Sequence, residues 1–117
     1  MEKRSGEKFN LLINNAGTYS PDRFENLLTA TKEGMLSVYD TNCIGPMLMV
    51  QNLYNNKLFE NNALVVNISS GMASISRTAR PRKRVSYCCA KTALNMLTKM
   101  ISIELSGIYC FAVHPGW

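Results

Sequence analysis

Tyr87 and Lys91 are four residues apart in a stretch, residues 86–105, that contains neither glycine nor proline. On a helix, residues at this spacing share a face, with their Cβ atoms about 5–6 Å apart. A phenol has a pKa of about 10, and an ammonium group about 5 Å away at an effective dielectric constant of about 20 lowers that pKa by on the order of two. Such a tyrosine can exchange a proton with an alcohol or carbonyl oxygen near neutral pH. The spacing alone is weak evidence, because an amphipathic helix also carries it by chance.

Three short apolar runs each end in a polar or glycine-containing turn. The runs are residues 9–13, 63–68 and 108–113, and the turns are residues 14–17, 69–71 and 114–116. Strands of a parallel sheet place their carboxyl ends at one edge, where ligands bind in α/β folds. A helix that begins near Ser86 and Tyr87 can return to that edge, so the phenol is expected to meet the three turns.

The elements that must position these residues alternate along the chain. Residues 31–54 carry an imperfect helical stripe, and Pro46 within it predicts a kink near Asn42, because proline removes a backbone donor. Residues 86–105 form a second helical stripe, which Gly107 closes. The order strand, helix, strand, helix, strand predicts an α/β fold, with a parallel sheet and right-handed crossovers.

Composition narrows the class of protein. The 117 residues suffice for one domain, and 46% hydrophobic with 18% charged residues is ordinary for a globular protein. No apolar run has the length of a membrane span, and residues 1–10 do not resemble a secretory signal, so we expect a cytoplasmic protein without membrane partners. The four cysteines show no C-x-x-C pair, so we expect no metal site and reduced, mostly buried thiols.

The net charge of +5 is concentrated in one segment. Five of the 13 lysines and arginines lie within residues 77–84, next to Pro81. No aromatic residue lies beside them to stack on bases, so we expect no nucleic-acid partner. The segment is interpreted as a solvated loop, with phosphate binding as the less favoured alternative.

In combination, these motifs resemble the short-chain dehydrogenase/reductase family. Asn-Asn-Ala-Gly at 14–17, Asn42, Asn67-Ile68-Ser69-Ser70, Tyr87-x-x-x-Lys91 and Pro115-Gly116 stand in that family's order, from Phe9 to Trp117. The resemblance implies that residues 1–117 form a single partial Rossmann-like domain, part of a doubly wound parallel sheet. The long loop before Tyr87 is similar to the carbonyl-reductase-like and C-factor-like branch.

The resemblance also implies roles for individual residues. The family's catalytic tetrad corresponds to Asn42, Ser70, Tyr87 and Lys91. Tyr87 would be the acid/base, and Ser70 would polarise the substrate oxygen. Lys91 would lower the pKa of the tyrosine and contact the nicotinamide ribose, and Asn42 would hold a water. The residues implied to contact NAD or NADP, with NADP favoured by the branch, are Asn15, Ala16, Gly17, Tyr87, Lys91, Pro115 and Gly116. Two alternatives stay open: Ser69 could replace Ser70, and Asn42 could only satisfy the kinked helix.

The family's glycine-rich first turn, T-G-x-x-x-G-x-G, has no counterpart in this sequence. The resemblance therefore implies a chain truncated at both ends, without the first strands and the cradle for the pyrophosphate. Three hypotheses follow. The first is an NAD(P)-dependent oxidoreductase that interconverts a small carbonyl and an alcohol. The second is a non-catalytic relative that interacts or forms a dimer or tetramer through the helices carrying Asn42 and Tyr87, and the third is a sugar-nucleotide epimerase/dehydratase relative.

Overall fold

The computed structural model describes residues 6–78 and 83–116. Its strands and helices alternate as the sequence predicts. In chain order they are β1 (Phe9–Asn14), α1 (Lys32–Tyr39), α2 (Gly45–Asn55), β2 (Phe59–Ile68), α3 (Val85–Glu104) and β3 (Ile108–Val113). A π-helical turn (Asp40–Ile44) joins α1 to α2, and a 3-10 turn (Gly71–Ala73) follows β2.

The three strands form one parallel sheet in the order β1-β2-β3. Leu64 of β2 pairs with Leu11 on one side and with Tyr109 on the other, so these three side chains share a face. The next row, Leu12, Val65 and Cys110, faces the opposite way. The predicted fold class is confirmed as the β-α-β-α-β part of a Rossmann-like sheet.

One face of the sheet packs against the helices and forms the core. Val50 and Leu53 of α2 and Ile101 of α3 meet the buried strand residues there. Those strand residues are Phe59, Ala63, Val65, Ile108 and Cys110. The other face is apolar but uncovered among the described residues, since Leu11, Ile13, Leu64, Tyr109 and Phe111 are all exposed. We refer to these as the covered face and the bare face.

The predicted kink near Asn42 is confirmed and takes the form of the π-helical turn. The backbone N–H of Gly45 donates to the carbonyl of Asp40, five residues back. Pro46 has no N–H to continue the ladder, and it begins α2, where a missing donor costs least. The wider turn leaves Asn42 fully buried.

The cysteines fit their expectation only in part. Cys43 and Cys110 are buried, whereas Cys89 is exposed, and none of the four forms a disulfide. No group of three potential metal ligands comes together within the described ranges. The same ranges contain no helix long and apolar enough to cross a bilayer.

Candidate active site

Tyr87 and Lys91 lie in the first two turns of α3, at the carboxyl edge of the sheet. The Lys91 ammonium nitrogen is 5.7 Å from the centre of the Tyr87 ring, so the predicted shared helix face is confirmed. Lys91 is only 3% exposed, and its Nζ donates to the carbonyl oxygen of Ile68, the last residue of β2, at 2.7 Å. This bond ties the lysine to the strand that leads to the two candidate serines.

Those two serines lie in different surroundings. The Ser69 hydroxyl is buried and donates to Oδ1 of Asn95 in α3 at 2.6 Å. The Ser70 hydroxyl accepts from the backbone N–H of Met72 at 3.1 Å and also lies close enough to Tyr87 to lower the pKa of its phenol. Ser70 therefore accompanies the tyrosine, while Ser69 fastens the strand to the helix.

Asn42 binds a loop rather than its own helix. Its Oδ1 accepts from the backbone N–H of Thr18 at 3.0 Å, and its Nδ2 donates to the Thr18 carbonyl at 2.9 Å. The expectation that it satisfies the kinked helix is wrong, because both side-chain groups pair with a residue 24 positions away. The amide instead holds the turn after β1 against the π-helical turn.

Gly17 lies between Asn42 and Lys91. A Cβ added at Gly17 would be 3.0 Å from Oδ1 of Asn42 and 3.4 Å from Nζ of Lys91, so a side chain there would force a shift. Thr18 follows directly, in the bonds just described. The turn after β1, the π-helical turn and α3 therefore converge within a few ångströms.

The other residues implied to bind a cofactor lie along the same edge. Asn15 and Ala16 are exposed and border an open cleft of about 600 Å³, between the end of β1 and the start of α2. Pro115 and Gly116 are exposed after β3. That strand end is joined to the serine turn by a bond from the Ser69 N–H to the Val113 carbonyl.

The pKa of Tyr87 differs from the expectation. Burial raises the pKa above its ordinary value, and the neighbouring Tyr19 phenol raises it further, while Ser70 and the Arg84 charge lower it. The net lowering of this pKa that the Tyr87–Lys91 spacing predicts is therefore not found, and Lys91 is not among the groups that shift it. Burial also lowers the pKa of Lys91 itself.

Tyr19 is a site residue that the sequence analysis missed. Its ring lies 4.5 Å from that of Tyr87, centre to centre, at an angle of 33°. The guanidinium carbons of Arg23 and Arg84 are each 4.8 Å from the Tyr19 ring centre. No motif or spacing marks Tyr19, since it lies in an irregular segment and meets Tyr87 only in the folded chain.

Glu25 was missed as well. It is 2% exposed; Oε1 accepts from the backbone N–H of Ser86 at 2.9 Å, and Oε2 accepts from the Ser20 hydroxyl at 2.7 Å. Arg84, the N-cap of α3, provides no side-chain cap, so Glu25 supplies one from a distant segment. Burial raises the pKa of Glu25, but the bonds from Ser20 and Ser86 outweigh it and hold the pKa below its ordinary value.

The predicted basic loop, residues 77–84, lies partly outside the described residues, which omit 79–82. Lys83 and Arg84 are described at the start of α3. Arg84 reaches Tyr19, so at least this end of the basic segment belongs to the site.

Comparisons with known proteins identify relatives of the chain. A family model described as short chain dehydrogenase matches residues 2–117. An uncharacterized oxidoreductase from Schizosaccharomyces pombe is 34% identical over 95 residues, which are 80% of this chain and 37% of that protein. The chain thus spans well under half the length of that relative.

Solved structures give the same result. The chain is similar to an NADPH-bound carbonyl reductase from chicken fatty liver, with a TM-score of 0.82 and 38% identity over 96% of this chain and 48% of that one. A short-chain dehydrogenase/reductase from Burkholderia multivorans with bound NADP has a TM-score of 0.85 and 28% identity, over 97% and 48% of the two chains. With these likenesses and the family match over nearly all its residues, the chain belongs to the short-chain dehydrogenase family.

Proposed function

We propose that the chain carries the acid/base site of an NAD(P)-dependent oxidoreductase that interconverts a small carbonyl compound and an alcohol by hydride transfer. The observation that carries this proposal is the convergence of Tyr87, Ser70 and Lys91 at one strand end. A phenol, a hydroxyl and an ammonium group so arranged can polarise an oxygen and move a proton to or from it. The oxidoreductase relative and the carbonyl reductase support this chemistry over the other two hypotheses.

The residues present fit the nicotinamide end of a dinucleotide. Lys91 donates one hydrogen bond, to Ile68, which leaves two N–H donors for the hydroxyls of a ribose. Gly17 lets the turn after β1 pack closely against Asn42 and Lys91, and the exposed residues Asn15 and Ala16 of the same turn are accessible to a ligand at the sheet edge. When bound, the nicotinamide supplies or accepts the hydride. NADP is favoured over NAD because it occupies both solved relatives named above.

In the proposed mechanism Tyr87 is the acid that protonates the carbonyl oxygen during reduction. The phenol is protonated at neutral pH and so can donate, although its raised pKa makes it a weaker acid than an ordinary tyrosine. Ser70 donates a hydrogen bond to the same oxygen as negative charge develops on it. Lys91 anchors the ribose, and Asn42 holds the turn at Thr18 through both of its side-chain groups.

The test is NADPH-dependent carbonyl reduction by a form of the protein that turns over. Tyr87→Phe removes the exchangeable proton but keeps the ring, so we expect turnover to collapse with little change in the melting temperature. Ser70→Ala should lower kcat by about 10²–10³, the usual cost of losing one donor to an oxyanion. Ser69→Ala should be much milder.

Tyr109→Phe is the matched control, because it also removes a tyrosine hydroxyl, but from an exposed residue on the bare face. Near-normal activity in Tyr87→Phe would contradict the proposal. A Ser69 variant slower than the Ser70 variant would reverse the serine assignment.

The 117 residues by themselves are expected to bind the dinucleotide weakly or not at all. The sequence lacks the glycine-rich turn that receives a pyrophosphate on backbone amides and a helix terminus. Isothermal titration calorimetry with NADPH measures this directly. Low-micromolar binding by the 117-residue chain would show that the phosphate cradle is dispensable.

We also propose that the helices carrying Asn42 and Tyr87 form the contact in a homodimer or tetramer. They expose apolar side chains away from the sheet: Met35, Leu36, Tyr39, Met96, Met100 and Ile103. The same surface serves the alternative of a non-catalytic interaction module. Met96→Glu should lower the mass found by sedimentation if this surface is the contact, and an unchanged mass would exclude it.

A further inference from the structure

Positive charge surrounds the two stacked tyrosines of the site. The guanidinium carbons of Arg23 and Arg84 are each 4.8 Å from the Tyr19 ring centre, and that ring stacks on Tyr87 at 4.5 Å. The Lys91 ammonium nitrogen lies 5.7 Å from the Tyr87 ring centre. We call Arg23, Arg84 and Lys91 the cationic cluster.

Within the described part of the chain, no carboxylate forms an ion pair with any member of this cluster. Glu25 is the buried acid of the same region, but both of its oxygens are taken, by the Ser20 hydroxyl and the Ser86 N–H. Three like charges close together raise the local potential and attract an anion. Glu25 keeps its negative charge, but among the described residues of this region the three cations outnumber that buried carboxylate, which leaves the site with a net positive charge.

The backbone of Arg84 is a second, independent observation. Its φ of 78° and ψ of 47° lie in the left-handed region, which is strained for a residue with a Cβ. The bond from its N–H to the Glu25 carbonyl, at 2.7 Å, helps hold it there. Glycine would adopt this conformation without strain, so the arginine side chain is the feature that needs explaining.

The stacked arrangement leaves the Arg84 donors available. A guanidinium that lies on an aromatic ring uses its face, whereas its five N–H groups lie in its plane and match a carboxylate or phosphate bidentately. Arg84 lies over Tyr19 and is 5.3 Å from the Phe24 ring centre, so aromatic contacts fix its position. A fixed guanidinium beside the acid/base tyrosine is a suitable anchor for the anionic end of a substrate.

We propose that the substrate is a carbonyl compound with a carboxylate or phosphate next to its carbonyl group, and that Arg84, assisted by Arg23, binds this anion while the carbonyl oxygen faces Tyr87 and Ser70. The inference rests on the proposed function, since it names the substrate class of that site. A phosphate of the cofactor shares the same anionic chemistry, and the experiment separates the two sources.

The test compares phenylglyoxylate with its ethyl ester, which has the same ketone without the negative charge. Binding to the 117-residue chain is measured by NMR chemical-shift titration. We expect the acid to bind at least about tenfold more tightly than the ester, a ratio typical of a charge-assisted hydrogen-bonded pair. Inorganic pyrophosphate is titrated in parallel as the probe for the cofactor's phosphates.

Arg84→Gly is the informative variant, because glycine keeps the left-handed backbone and so preserves the start of α3. It should reduce the ratio of acid to ester binding to near one. Lys83→Gln is the matched control, since it removes one positive charge from the neighbouring exposed residue, and it should leave most of the ratio intact.

Equal binding of acid and ester by the unaltered chain, or no binding of the acid, would overturn the proposal. So would an equal loss in Lys83→Gln and Arg84→Gly, because the effect would then be diffuse charge. If Arg84→Gly weakens pyrophosphate but not the acid-to-ester ratio, the anion belongs to the cofactor and the proposal is wrong. These readouts need no turnover, so they are separate from the Tyr87→Phe test of the proposed function.

Discussion

Leu64 and Val65 are neighbours in the central strand with similar apolar side chains, yet Leu64 is 41% exposed and Val65 is completely buried. Leu64 belongs to the bare face and Val65 to the covered face. Apolar residues on both faces are typical of a parallel sheet between two helical layers. Among the described residues the helices pack on one side only. Apolar side chains of the same strand are therefore buried on the covered face and exposed on the bare face.

The comparison of the two faces shows that the helical layer on the covered face positions the site. Asn42, Tyr87 and Lys91 all come from the helical layer on the covered face, and Lys91 bonds to the end of β2. Deeper in that layer, Asn67 of β2 accepts from Asn14 at 2.8 Å and donates to Thr98 of α3 at 3.0 Å. The bare face contributes none of the side chains assigned to the site.

The largest expected effect comes from placing one charge on each face. Val65→Asp buries an unpaired carboxylate in the core, which should cost more than about 4 kcal/mol and unfold the chain. Leu64→Asp puts the same charge on the bare face of the same strand, so it should keep the fold and reduce self-association. Far-ultraviolet circular dichroism and analytical ultracentrifugation measure both properties.

The two variants share the intrinsic cost of aspartate in a strand, so their difference reports coverage alone. Equal unfolding by both would mean that the bare face is buried in solution, for example by another copy of the chain. If the unaltered chain is monodisperse and has a sharp thermal transition, exposure of this face causes neither self-association nor loss of cooperative folding.

A smaller effect is expected at Glu25, which fastens the loop after β1 to the helical layer. Glu25→Ala leaves the Ser86 N–H without its partner and should lower the free energy of unfolding by about 1–3 kcal/mol. Glu25→Gln can still accept from Ser86 and should lose less. Urea denaturation measures both values.

The pH dependence provides the check on this role. The pKa of Glu25 is lower in the folded chain than its ordinary value of 4.5, so the carboxylate stabilises the fold above that pH. This contribution should be lost as the pH falls through the folded pKa, and it should be missing from Glu25→Gln. The same acid dependence in both proteins would assign the acid sensitivity to other groups.

These residues also show how far the sequence alone could lead. The strands, the kink at Pro46 and the Tyr87–Lys91 pair follow from local patterns and backbone chemistry, which short-range rules describe. Glu25 caps a helix that begins 60 residues later along the chain, and Tyr19 meets Tyr87 only after folding. The pKa of Tyr87 could not be predicted either, because it depends on burial and on Tyr19, which no spacing reveals.

The smallest expected effect is the pH dependence of stability caused by one thiol on the covered face. Cys110 lies on the covered face in the same row as Val65, and burial raises its pKa from 9.0 to about 11, although a bond with Thr98 opposes the shift. Between these two values the unfolded chain loses the proton while the folded chain keeps it, so folding is disfavoured as the pH rises. Below pH 9 the loss should stay under about 0.4 kcal/mol, and at pH 10 it should be about 1.4 kcal/mol.

Urea denaturation between pH 8 and pH 10.5 measures this loss, with Cys110→Ala as the comparison. The alanine variant should be less stable at pH 8 because it leaves a small cavity, but its stability should fall less steeply as the pH rises. Cys43, Tyr87 and Lys91 also have shifted pKa values, yet they are present in both proteins and cancel in the difference. Parallel pH profiles would mean that water reaches Cys110, and the covered face would then be less tightly packed at β3 than the structure indicates.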